Sequence, residues 1–164
     1  MNNPPIIKQY DFIIPIAPAS MQKGARVNMK QRRFYTDPKK VAFFASIKEE
    51  ISHIIPPEPL RGMLSIGFKF YFERPASRQS TDESEATPLW GYKGTDVDNC
   101  CKSVTDSMTK SGFWVNDSQI WRILGAEKYY CEGMLFPRIE VIVQDHGMIY
   151  NEKSKPTTKR RKSK

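Results

Sequence analysis

The sequence predicts a single domain of the α/β (α+β) class, in which one mixed sheet packs against two main helices. The 164 residues have the length of one domain. The composition, 39% hydrophobic and 27% charged, is typical of a globular protein. Segments with the apolar periodicity of strands alternate along the chain with segments that have the periodicity of helices. This mixed order indicates helices packed on a sheet. We assign residues 1–150 to this domain and expect 151–164 to be a basic, disordered tail.

The first half of the chain predicts a strand, a helix and a second strand. Residues 6–16 are mainly apolar and end at prolines, which is typical of a strand. Residues 17–36 lack a period and are rich in basic and amide side chains, which predicts a basic loop. Thr36-Asp37-Pro38 is typical of a helix start, and Pro56-Pro57 should end that helix. Residues 63–73 alternate strictly, as a strand does. The apolar helix face is Val41, Phe44, Ile47, Ile51 and Ile54, and the apolar strand face is Leu64, Ile66, Phe68, Phe70 and Phe72.

The second half predicts a long loop, a helix and two further strands. Residues 74–95 show neither a helical nor a strand periodicity of apolar residues. They are rich in Pro, Ser, Thr, Gly and acidic residues, which indicates a surface loop. A helix is expected from Val97 to Lys110, with Gly112 just past its end. Strands are predicted over 118–130 and 135–144. The apolar positions are Val97, Cys101, Val104 and Met108 on the helix and Ile139, Val141 and Val143 on the last strand.

Charge is distributed unevenly around a formal total of +8. Residues 151–164 sum to +6 and residues 21–48 to +7, so the remainder sums to −5. Two basic zones around an acidic middle suggest a polyanionic partner such as nucleic acid. A solvated face with a solubilising tail, or a targeting signal in the tail, would produce the same charges.

Several classes of protein are disfavoured by what the sequence contains. No apolar run approaches the ~20 residues of a membrane span. The first residues do not resemble a secretory signal, so we expect a cytoplasmic protein. The three cysteines do not suggest a disulfide framework, and the two histidines do not have zinc-ligand spacing.

The candidate chemical groups lie around the start of the second predicted helix. Lys102 follows Asp98 by four residues, so their side chains are neighbours about 40° apart around the axis. Asp96 lies beside Asp98 only if Asp96 precedes the first turn, in extended backbone. Both carboxylates would then cluster near the free N–H groups of a helix start, which favour anions.

Two close carboxylates repel each other unless a cation lies between them. Hard oxygen ligands favour Mg²⁺ or Mn²⁺ over zinc or copper. Such an ion can activate a water and bind a phosphate oxygen, as phosphodiester hydrolysis requires. Lys102 is placed to neutralise charge on the transition state. Asp117 is a candidate third acid, if the chain folds back there to the helix start.

A purely structural interpretation explains the same residues without chemistry. Asp-x-Asp at a helix start is common as a cap. Asp98 with Lys102 is then an ordinary helical ion pair that contributes ~0.2–0.5 kcal/mol.

The stretch from Asp96 to Gln119 resembles the RusA-type Holliday-junction resolvases. The family shows a D-x-D-N-x-x-K segment, a helix that ends in a Gly-Phe-Trp-like turn, and a third acid followed shortly by Gln. The first two acids and the lysine correspond to Asp96, Asp98 and Lys102, and Asp117 matches the third acid. The chain departs from the family pattern in an apparent insertion over 76–93, in the extra basic tail, and in Asn116, where some relatives carry another acid.

The resemblance implies a metal site formed by Asp96, Asp98 and Asp117, with Lys102 assisting. It also implies a homodimer that binds a four-way DNA junction and places symmetric nicks with Mg²⁺ or Mn²⁺. Many members of the family are encoded by phages or prophages of bacteria. In this hypothesis, basic residues of the loop after the first strand hold the DNA arms through phosphate contacts. These are Lys23, Arg26, Lys30, Arg32 and Arg33.

Two other hypotheses stay open at this point. The same carboxylates would serve a nuclease for other branched DNA, and only substrate competition separates that enzyme from a resolvase. A non-catalytic nucleic-acid-binding module, in which the acids are caps, predicts that Asp98→Asn changes stability alone.

Overall fold

A computed structural model describes most of the chain, with the backbone alone over 26–28 and 33–35. The described residues are 4–21, 26–28, 33–35, 37–75, 87–89, 95–131 and 136–147. The elements are β1 (Lys8–Ile14), β2 (Arg26–Asn28), β3 (Arg33–Tyr35), α1 (Pro38–Ile51), β4 (Leu64–Phe72), β5 (Thr87–Pro88), α2 (Val97–Ser111), a 3₁₀ helix (Asp117–Gln119), β6 (Ile120–Tyr130) and β7 (Arg138–Asp145).

Five strands form one mixed sheet, in the order β1-β7-β4-β6-β5. The central pair β4 and β6 is parallel, and the other pairs are antiparallel. Parallel strands need a crossover connection, and α2 lies in the connection between β4 and β6. The predicted α+β class, a mixed sheet with two main helices, is confirmed.

Capping residues set the start of α1 and the end of α2 as expected. Asp37 precedes α1, and its Oδ1 accepts a hydrogen bond from the Lys39 N–H at 2.9 Å. Gly112 ends α2 with a left-handed φ of 81°, a conformation that glycine adopts without steric cost. Helix α1 ends at Ile51, earlier than the Pro56-Pro57 stop that the sequence predicts.

The core lies between the two helices and one face of the sheet. The predicted apolar face of β4 is buried from Leu64 to Phe70, and the inward positions of β7 are confirmed. Burial does not alternate along β4, because Ser65, Gly67 and Tyr71 are buried as well. The predicted face of α1 is wrong at Val41, which is 54% exposed, whereas Phe43 is buried. Phe43 lies four residues before Ile47 and eight before Ile51, so the buried stripe follows the i, i+4 row through Phe43 rather than through Val41. The buried β7 residues are Ile139, Val141 and Val143.

Short elements appear where the sequence predicts loops. The predicted basic loop 17–36 contains β2 and β3, which pair antiparallel, and the predicted loop 74–95 contains β5, which pairs with the end of β6. Strands of two or three residues are too short to show alternation in sequence. The predicted strand 118–130 begins with the 3₁₀ helix. Among the described residues, no helix combines the length and apolarity needed to cross a membrane.

Candidate active site

Asp96 and Asp98 lie at the start of α2, on the surface. Asp96 is the N-cap residue and has extended backbone, with φ −74° and ψ 144°. Asp98 is in the first turn, and both side chains are exposed. Asp96 therefore has the extended backbone that the sequence analysis requires for the two carboxylates to lie side by side.

Within the described residues, neither a side-chain cap nor an ion pair is formed by these acids. The Asp96 side chain makes no capping hydrogen bond to the helix. Its Oδ2 instead accepts from Nδ2 of Asn99 at 3.4 Å. Lys102 is exposed, and within the part of the chain that the structure describes it forms no ion pair with Asp98. Among the described residues, the carboxylates of Asp96 and Asp98 therefore neither cap the helix nor pair with a Lys or Arg side chain.

The thiols next to these acids are held protonated. Burial, then the adjacent Cys101 thiol, raises the pKa of Cys100 to about 12, and the charges of Asp98 and Asp96 raise it further while Lys128 lowers it. Burial also raises the pKa of Cys101 to about 11. Only a thiolate binds metal well, so the oxygen atoms of the acids are the available ligands here.

Lys128 is a residue of this region that sequence analysis missed. It lies on β6, and its Nζ donates to the carbonyl oxygen of Thr95 at 2.9 Å. Thr95 immediately precedes Asp96, so the contact ties the sheet to the backbone that carries the first acid. Its position follows from the β4–β6 register, in which Phe70 is opposite Lys128. A register between distant strands has no signal in a single sequence.

Asp117 lies at the other end of β6. It is exposed and begins the 3₁₀ helix, whose capping box joins Asn116 and Gln119. Ile120, where β6 begins, precedes Lys128 by eight residues, which is ~26 Å along a strand. Because Lys128 contacts Thr95 just before α2, the start of α2 and Asp117 lie toward opposite ends of β6 within one chain. Among the described residues, no three Asp, Glu, His or Cys side chains converge closely enough to hold a metal ion.

The basic segment leaves the domain beside the acids. The Met21 N–H donates to Oγ of Ser103 at 2.8 Å, and the same hydroxyl donates to the carbonyl oxygen of Asn99 at 2.7 Å. Arg26 begins β2 and Arg33 begins β3. Lys23, Lys30 and Arg32, and the tail 151–164, lie outside the described residues. The chain that enters the predicted DNA-binding segment is thus fixed to the first turns of α2.

Comparison with known proteins assigns the family. A family model described as endodeoxyribonuclease RusA matches residues 15–144, which is most of the chain. No curated protein matches the sequence. The matched region includes the elements from β2 through almost all of β7 and therefore both ends of the candidate site. The chain belongs to the RusA family of endodeoxyribonucleases, hydrolases that resolve Holliday junctions in DNA.

Proposed function

We propose that this chain resolves four-way DNA junctions by paired symmetric nicks, with Mg²⁺ bound at Asp96 and Asp98. The observation that supports the proposal is the pair of exposed carboxylates at the start of α2, which among the described residues form neither a side-chain cap nor an ion pair. Two carboxylates side by side repel each other, and a protein keeps such a pair at a cost unless a cation binds there.

The donor set fits a hard divalent cation, in agreement with the metal dependence of RusA-family nucleases. Mg²⁺ keeps several of its waters and is commonly bound by one or two carboxylates together with substrate phosphate. The exposure of Asp96 and Asp98 leaves room for those waters and for DNA. When bound, the ion would activate a water molecule for attack, and its positive charge would stabilise a phosphate oxygen. Mn²⁺ has the same ligand preference and should substitute.

The protein's own groups orient the phosphate around this position. The first N–H groups of α2 point away from the helix start, where they favour an anion. Lys102, one turn after Asp98, is exposed and available to stabilise negative charge on the phosphate in the transition state. Lys128, on β6, is a positioning residue, because its hydrogen bond to the Thr95 carbonyl holds the backbone next to Asp96 in place.

Asp117 takes part, in this proposal, across a homodimer. Its separation from the start of α2 prevents it from joining Asp96 within one chain, so it reaches such a site only in a second copy. Two copies related by a two-fold axis also match the near two-fold symmetry of a four-way junction, and they explain paired nicks.

The basic segment after β1 would hold the DNA arms. Met21, just before this segment, is hydrogen-bonded to Ser103 of α2. The segment therefore begins near the helix that carries Asp98. Its basic residues are Lys23, Arg26, Lys30, Arg32 and Arg33. Phosphate contacts by such residues give affinity without reading sequence.

Cleavage of a labelled four-way junction tests the proposal. The purified protein should nick the junction symmetrically with Mg²⁺, and neither a linear duplex nor a reaction with EDTA should give the products. Asp96→Asn and Asp98→Asn should each abolish nicking and leave junction binding intact. Asp106→Asn, on the same helix, is the matched control and should keep full activity.

Other outcomes would identify the alternatives. Equal cleavage of flaps and junctions in competition would indicate a nuclease of broader branched-DNA specificity. Wild-type rates in Asp96→Asn or Asp98→Asn would remove these acids from the site. Binding without nicking, also with Mn²⁺, would indicate a non-catalytic binding module.

A further inference from the structure

Two lysine side chains meet at the surface where α1 and α2 contact each other. The Nζ of Lys110 lies 4.1 Å from the centre of the Phe44 ring, and the Nζ of Lys40 lies 5.3 Å from the same centre. Lys110 is exposed, whereas Lys40 and Phe44 are half-buried. Two helices that are distant in sequence therefore bring two ammonium groups to one aromatic ring.

The ring attracts both cations but does not neutralise them. The face of an aromatic ring carries partial negative charge, which favours an ammonium group within ~6 Å. Both nitrogens are so near the ring that they lie within ~10 Å of each other, the screening length in 0.1 M salt, so they also repel each other. Among the described residues, neither Lys40 nor Lys110 forms an ion pair. The pair therefore keeps two positive charges.

The helices themselves account for one of these charges and not for the other. Lys110 lies in the last turn of α2, where the helix dipole favours a cation. Lys40 lies in the first turn of α1, where the dipole disfavours a cation, and that turn contains no acidic residue. Asp106, one turn before Lys110, has the spacing of a helical ion pair, yet within the described part of the chain it forms none. An anion bound between the two lysines would relieve their repulsion.

Helix α2 connects this pair of lysines to the proposed metal site. Asp98 is in its first turn and Lys110 in its last. Residues with this separation are ~18 Å apart along a helix axis. Successive phosphates of one DNA strand are ~3.4 Å apart along the duplex axis, so the same length spans about five nucleotides. A duplex arm that leaves the acids along α2 therefore brings a phosphate to the lysines.

We propose that Lys40 and Lys110, held on the Phe44 ring, bind a backbone phosphate of one junction arm. This phosphate lies about five nucleotides from the bond that is cut. The step rests on the proposed function, and it adds to the basic segment after β1 a second DNA contact between α1 and α2. An ammonium group binds phosphate as a point charge, so the contact fixes where the arm lies and adds no sequence preference.

Binding of the full chain to a labelled four-way junction in EDTA, measured by fluorescence anisotropy over a range of salt concentrations, tests this contact. The double variant Lys40→Met/Lys110→Met keeps the length of both side chains and removes both charges. It should bind more weakly, and its log–log salt dependence should be flatter by ~0.9, the value for one phosphate. Lys48→Met, at an exposed position in the last turn of α1, is the control and should keep the wild-type slope.

An uncharged methylphosphonate group in the DNA separates a direct contact from a general effect of charge. It is placed at successive positions along one arm. Wild-type binding should weaken most when the substitution is about five nucleotides from the nick. The double variant should lose no affinity from the substitution at that position, because the charge that it would remove has no partner there.

An unchanged slope in a double variant that is folded by circular dichroism would overturn the proposal, and so would equal methylphosphonate effects in the variant and the wild type. If the double variant fails to fold, Lys110→Met decides by the same two measurements, because that side chain is exposed. A wild-type protein that nicks junctions while the variant keeps its slope would reject this contact alone. A wild-type protein that binds through these lysines but never nicks would support the contact and reject the proposed function. A wild-type protein that does not bind junctions would overturn both.

Discussion

Gln119 offers a quantitative test of how the segment that carries Asp117 is held in place. Its side chain is 3% exposed, and its Nε2 donates to the carbonyl oxygens of Leu60 and Gly62 at 3.0 and 2.8 Å. Its Oε1 accepts from the Asn116 N–H at 2.8 Å. One amide group thus joins the 3₁₀ helix to the segment that enters β4.

Gln119→Met keeps the length of the side chain and removes all three hydrogen bonds. The Leu60 carbonyl keeps a bond from the Val115 N–H at 3.2 Å. The carbonyl of Gly62 and the N–H of Asn116 each lose the bond that Gln119 makes. A buried polar group left without its partner costs ~1–3 kcal/mol, so the two groups together should lower the free energy of unfolding by ~2–6 kcal/mol.

Chemical denaturation, followed by circular dichroism, measures this loss. Gln9→Met is the matched control, because Gln9 is exposed and its bonds to Asp11 and Gln144 compete with water; its midpoint should stay close to that of the wild type. A loss below ~1 kcal/mol in Gln119→Met would mean that water or a local shift satisfies the freed groups, and that Gln119 does not fix Asp117.

The remaining predictions concern DNA. Lys102→Ala should slow single-turnover cleavage strongly and reduce junction affinity little; weaker binding with an unchanged rate would make Lys102 a docking residue. Lys128→Met, which removes the bond to Thr95, should lower the cleavage rate at saturating Mg²⁺, and Lys128→Arg should restore part of it; equal rates in both variants and the wild type would contradict a positioning role. Deletion of 151–164 should weaken binding to junction and duplex alike and flatten the log–log salt dependence by ~0.9 for each phosphate that the tail neutralises in the full chain, whereas an unchanged slope would show that the tail does not bind DNA.

The long elements of the fold are predictable because their signals are local. The strand at β4 and the cap at Asp37 depend on neighbouring residues, and both are confirmed. The predictions from sequence fail where contacts between distant residues determine the structure. Val41 and Phe43 are both apolar on α1, and only packing against the sheet determines that Phe43 is buried. The pairing of β5 with Tyr129 and Tyr130 likewise depends on residues about forty positions away.

The candidate site divides in the same way. The extended backbone of Asp96 follows from its place just before the helix, so it could be predicted from the sequence. The position of Asp117 could not be inferred, because it depends on which way β6 runs after the 3₁₀ helix. Since β6 is parallel to β4, it carries the chain from Asp117 toward Thr95 over its whole length.

This separation has a consequence for how activity and assembly should be linked. If Asp96 and Asp98 acted with Asp117 inside one chain, monomers would cleave, and dilution would change only the pairing of nicks. Because the two groups lie at opposite ends of β6, the proposed site needs a second copy, and dilution below the dimer dissociation constant should abolish single nicks as well. Mixed dimers of Asp98→Asn and Asp117→Asn chains should then recover cleavage at one of the two sites, since one site retains all its acids. Recovery of single nicks in the mixture, but in neither variant alone, would be the expected result; full loss in the mixture would return Asp117 to a role outside the metal site.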